Sequence, residues 1–134
     1  MSNTLYPKAK QALLTAGFNL TTDTIRALLV DLNDYTYSAA HEFLSDIPSA
    51  ARVATSGPLV NKTVTNGVFD ADDPTFTAAT GDQSEAVVLY KDTGTATSSR
   101  LLLFLDTAQG FPVQPNTGDI IVQFDGGGNR IFAL

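Results

Sequence analysis

His41 is the single histidine of the chain and stands beside Glu42 and near Asp46. A histidine among carboxylates could serve a nucleophile as general base, or hold a metal ion with further donors. Cysteine is absent, so thiolate chemistry and Cys-ligated zinc are excluded, and no H-E-x-x-H spacing is present. The residues support a plainer expectation, a surface or interface histidine capping a short helix. Asp70, Asp72 and Asp73 form a second candidate, since oxygen-rich clusters can hold calcium. The stretch DADDPTF lacks the sharp-turn glycine and distant bidentate glutamate of an EF-hand. It reads as an Asx-type turn that keeps a loop solvated, and calcium binding stays open. Gly126 to Gly128 precede a strand and not a helix, so they read as a turn and not a phosphate cradle. Glu85 and Asp106 are the carboxylates a cell-wall hydrolase would pair, yet both fall at strand ends, where turn and edge roles prevail. The expectation is therefore no enzyme, with no catalytic residue, cofactor or metal.

The elements that would position these groups are mostly strands. Pro7 suits the first turn of a helix over about Tyr6 to Ala16, with an apolar stripe of Leu5, Ala9, Leu13 and Leu14. Gly17 suits the left-handed position that ends it. That stripe is expected to lie on the domain's own sheet, the alternative being a neighbouring subunit. Thr24 to Leu32 (TIRALLVDL) reads as a central strand buried on both faces. Residues 33 to 51 carry turn formers and a short helical patch around His41 to Leu44, closed by Pro48, and read as a surface excursion. Arg52 to Ser56, Leu59 to Val64, Val68 to Phe69 and Thr75 to Thr77 are short strands separated by Gly, Pro or Asn-Gly signals. Glu85 to Lys91 and Arg100 to Asp106 form a hairpin with a flexible tip, DTGTATSS. Ala108 to Gly118, rich in proline and glycine, reads as an ordered loop or contact arm. Asp119 to Phe124 and Arg130 to Leu134 flank DGGGN and read as a hairpin whose last strand is pinned in a sheet or interface. The predicted fold is mainly β, an antiparallel β-sandwich or squashed barrel of about seven to nine strands with one N-terminal α-helix.

Composition sets further limits. A length of 134 residues fits a single β-rich domain over 1–134. Lys and Arg number 8 against 14 Asp and Glu, a formal charge of -6, which disfavours nucleic acid as a partner. Hydrophobic residues at 43% against 16% charged give enough apolar matter to fold. No signal peptide or membrane span is read from the sequence, and synthesis in a host cytoplasm is the expectation.

The phrases HEFLSDIP, ARVATSG, KTVTNGVFDADD, EAVVLYKDTG and SRLLLFLDTAQGFPVQPNTGDIIVQFDGGGNRIFAL resemble a family of small structural proteins of tailed bacteriophages. The opening NTLYPKAKQALLTAGFNLTTDTIRALLVD is similar to that family's start, so the resemblance spans nearly the whole chain. It implies a virion structural role and carries no catalytic or ligand residue. An acidic surface would be repelled by packaged DNA, which favours the outer surface of the virion. The expectation is a capsid decoration or cement protein bound to the major capsid protein, with a tail, neck or fibre-associated component as the alternative. The alternative would grip its partner through Thr93 to Ser99 and Gln109 to Gly118. A homo-oligomer about a threefold or other cyclic axis is also expected. The candidate contact residues are Phe111, Pro112, Val113 and Pro115 of the arm, with Phe132 and Leu134 of the last strand. In the competing reading, Phe111 folds back to plug one end of the β-core.

Overall fold

A computed structural model of the protein describes residues 4–106, 111–122 and 131–133. In chain order these form β1 (Thr4–Leu5), α1 (Pro7–Leu14), β2 (Ile25–Val30), β3 (Arg52–Thr55), β4 (Thr63–Thr65) and β5 (Val68–Asp70). There follow β6 (Thr75–Phe76), β7 (Ala86–Lys91), β8 (Leu101–Leu105), β9 (Ile120–Ile121) and β10 (Phe132–Ala133). The strands lie in a five-stranded sheet, β1-β8-β7-β2-β3, a three-stranded sheet, β10-β5-β4, and the pair β6-β9. Every ladder is antiparallel. The mainly β fold with one N-terminal helix is thus the one expected. Among the described residues no helix is long and apolar enough to cross a membrane.

The middle strands explain the sheet. Successive side chains of a strand point to opposite faces, so an unbroken apolar run needs cover on both. IRALLV of β2, AVVLY of β7 and LLLFL of β8 are such runs, and all but Arg26 of these residues are buried. Register runs from Ile25 opposite Lys91 to Val30 opposite Ala86, and sets Val88 opposite Phe104. Arg26 escapes by turning its guanidinium to Asp92, at 2.6 Å, and to the Ser56 carbonyl. Truncating a fully buried side chain such as Leu89 to alanine would cost about 2–5 kcal/mol.

Helix α1 begins where proline needs no amide hydrogen, and it packs against β8 with Ala9 and Ala12 buried. Leu14, placed on the apolar stripe by its spacing, is instead 87% exposed. The stop is also displaced by one residue. Ala16, not Gly17, takes the left-handed conformation (φ 62°), and the Gly17 amide donates to the Ala12 carbonyl at 2.6 Å. This is the outer bond of a Schellman-type closure, with alanine at the left-handed position. Gly17 is needed for another reason, since a Cβ there would lie 2.7 Å from that of Ala12.

Two further expectations change. The run Leu59 to Val64 is broken because Asn61 is left-handed (φ 55°), so pairing starts at Thr63. The next turn, Asn66-Gly67, has positive φ at both residues and closes the β4–β5 hairpin, as its sequence suggests. The hairpin across DGGGN is not the pairing observed: β9 pairs with β6 and β10 with β5, while 123–130 lie outside the described residues. Phe132 thereby meets Phe69, ring centroids 5.5 Å apart, and this burial outweighs a local turn preference. Finally, residues 33–51 run largely over the surface, as expected, but are anchored to the core by the buried Tyr35, Leu44, Ile47 and Ala51.

Candidate functional site

The structure assigns His41 a different task from the expected helix cap. Its Nδ1 lies 2.8 Å from the Tyr35 hydroxyl, which lies 2.8 Å from the Tyr6 hydroxyl. Tyr6 is the residue before α1 and its amide bonds to Leu102 of β8, so the chain of groups runs from the surface to the sheet. Tyr37 covers it, with its ring 5.1 Å from Tyr6 and 5.3 Å from Phe104. The 3-10 turn Leu44–Asp46 is capped by Asp46, whose carboxylate accepts from the Glu42 and Phe43 amides. Those two amides hold the Asp46 carboxyl below the ordinary carboxylate range. Burial pushes the Tyr35 hydroxyl up to about 12 and the Tyr6 hydroxyl higher still. Sequence reasoning missed this cluster, because Tyr6 and the 35–41 segment are joined only by the tertiary fold.

The carboxylates do not gather as their spacing suggested. Asp72 accepts from the Asn61 side chain at 2.6 Å, Asp70 stands on β5 opposite Thr63, and the three aspartates bring no common set of oxygens together. Asp31, Asp34 and Asp82 do, with carboxylate oxygens within 4.8 Å of one another. The Val30–Ala86 register brings the end of β2 and the approach to β7 together, a proximity with no local signal. Asp31 there accepts from the Asn33 amide in a turn. Glu85 and Asp106 share one end of the β7–β8 hairpin, but the Glu85 carboxylate is engaged by the Leu32 amide at 2.8 Å.

The described candidate contact residues of the arm and of the last strand have different backbone partners. Val113 forms a reciprocal backbone bridge with Ser84, and both Phe111 and Val113 pack partly against the core. Pro112 is exposed and Pro115 buried. This placement agrees with the plug reading of Phe111. Phe132 is buried in β10, while Leu134, Gln109, Gly110 and the glycine run lie outside the described residues. The expected flexible tip between β7 and β8 is knit by its own hydroxyls. Ser99, fully buried, accepts from the Thr93 amide and donates to the Thr95 carbonyl, while Asp92 accepts from the Gly94 amide.

An apolar groove of about 460 Å³ opens between the end of α1 and the three-stranded sheet. Leu13, Phe18, Leu20, Val64, Phe69 and Phe132 line it, and none of the described residues that line it is ionisable. Among the described residues no strand pairs with the outer side of β4, and its Thr63, Val64 and Thr65 are all exposed. No protein-family model matches the chain, and no curated protein matches it.

Proposed function

We propose that the protein is a structural component of a tailed-bacteriophage virion, an external decoration protein that cements the assembled capsid. The sequence resemblance suggests the class, and the surface supports it. The observation that carries the reading is an apolar groove with no ionisable group among its described lining residues, beside a β4 edge that no described strand pairs with. Free edges in monomeric proteins are commonly guarded by inward charge, proline or a covering loop. Thr63-Val64-Thr65 has no such guard within the strand, and Leu14, Val60, Val64 and Ile121 are exposed. Such a surface suits a partner present in many copies: the major capsid protein and further copies of this chain.

A protein that binds the assembled shell and not its free subunits stabilises the shell by mass action. Its net charge of -6 favours a place away from packaged DNA. Quantitative mass spectrometry of purified particles tests this reading. Copies of the same order as the major capsid protein are expected. A small number per particle would assign the chain to tail, neck or fibre, and absence from particles would overturn a virion role.

A further inference from the structure

The contacts Tyr6–Tyr35 and Tyr35–His41 are two hydrogen bonds that must share the protons available to them. With His41 neutral and Nδ1 accepting, Tyr35 donates to His41 and Tyr6 donates to Tyr35. Two protons fill two contacts. When Nδ1 takes up a proton, three donors compete for the same two contacts, because a protonated imidazole accepts nothing. One hydroxyl proton is then stranded, and Tyr6 and Tyr35 are only 0% and 4% exposed. A buried donor left without a partner is destabilising.

We infer that His41, Tyr35 and Tyr6 form a proton-counting latch: it holds the flap Tyr35 to His41 closed while His41 is neutral and releases it when His41 is protonated. The inference does not depend on the virion reading. The flap's ends are held separately. Asp34 bonds back to Asp31 and Asp31 to Ala51 on one side. On the other, Glu42 accepts from the Leu101 amide and pairs with Arg100 at 2.8 Å. Release would thus swing out a bounded segment and uncover the rings of Tyr6 and Phe104, over which Tyr37 now lies.

The charged and titratable groups around His41 decide how the latch is set. Tyr35 faces it directly, with Tyr6 and Tyr37 behind. The Asp46 carboxylate attracts an imidazolium, and the neighbouring Glu42 is neutralised by Arg100. Asp46 therefore favours taking up the proton that the phenols cannot accommodate, and the opposition of the two makes opening responsive to pH. The unfolded chain takes the same proton without stranding a donor. The latch is closed while Nδ1 of His41 accepts from Tyr35, and it opens as acid supplies that nitrogen with a proton.

The test compares the full-length protein with His41→Asn, whose side-chain oxygen can accept from Tyr35 at any pH, and with Tyr6→Phe/Tyr35→Phe, which removes both hydroxyls. Hydrogen–deuterium exchange of the Tyr35 to His41 segment is followed at pH 5 and pH 8, each variant being compared at the same pH. At pH 5 the wild-type flap should exchange about tenfold faster than in His41→Asn, and at pH 8 the two should agree. The double variant should show no opening specific to pH 5. Equal flap exchange in wild type and His41→Asn at pH 5 would overturn the latch. So would acid opening retained in the double variant. Should the double variant not fold, the His41→Asn comparison still decides.

Discussion

The Tyr6 hydroxyl lies 2.8 Å from the Tyr35 hydroxyl, a buried contact between residues 29 positions apart. It ties the start of α1 to the segment that crosses β8, and it places two phenols where neither can ionise cheaply. Burial is the main cause of the upward shift at both, with the Asp46 charge adding to it. Their folded-state values exceed the unfolded value of about 10, so the stability they contribute is full below pH 10. It is lost as pH rises toward the Tyr35 value of about 12. Absorbance titration monitored with circular dichroism should therefore show part of the tyrosine ionisation coinciding with unfolding. If all the tyrosines ionise near pH 10 while the circular dichroism stays native, the buried contact is refuted.

The end of α1 offers a paired test. Ala16 is held at φ 62°, where a Cβ costs about 1–2 kcal/mol, so Ala16→Gly should stabilise the protein by up to about 1 kcal/mol after the entropy lost by glycine. Gly17→Val should destabilise it by about 1–3 kcal/mol, because its Cβ meets Ala12. Urea midpoints of the two variants moving in the same direction would contradict this closure.

The features legible in the sequence are those in which many residues repeat one demand or a turn obeys backbone sterics, whereas pairings between distant segments leave no local mark. The apolar runs of β2, β7 and β8 announce buried strands because every side chain repeats the same demand for cover. Asn66-Gly67 announces its turn through backbone sterics alone. By contrast, the partners of β9 and β10 are not legible, because glycine favours a turn but does not choose the partner strand, and Phe132 finds Phe69 far back in the chain. The Tyr6–Tyr35–His41 chain was hidden for the same reason. The chemistry of His41 is visible in the sequence, yet its partners are phenols that carry no spacing signal.

Acid should weaken the fold through capping carboxylates. Asp46 is held low by the amides of Glu42 and Phe43, and Asp92 by the Gly94 amide and then by Arg26. Depressed folded-state values mean that their contribution is full above the unfolded value of about 3.9 and is lost as pH falls through the folded one. Asp46→Asn should lower stability at pH 7 and flatten its decline below pH 4. An unchanged acid slope in a urea series from pH 5 to pH 2 would exclude Asp46 as a source.

The arm and the β4 edge make opposite predictions, which separates structural from associative surfaces. Phe111 and Val113 pack partly against the core, and Val113 is bridged to Ser84, so Phe111→Ser/Val113→Ser should destabilise the fold by about 1–3 kcal/mol. Val64 is exposed on an edge strand and touches the groove, so Val64→Asp should change stability by no more than about 0.5 kcal/mol. It would nevertheless set a charge in an uncharged groove, where it would be desolvated on contact. Sedimentation of the wild type should show self-association at high concentration, and Val64→Asp should abolish it while remaining folded. A wild type that stays monomeric, or a Val64→Asp variant that associates as strongly as wild type, would remove this face as the contact between copies. Loss of association in the arm variant alone, with its stability intact, would transfer the contact to Phe111 and Val113.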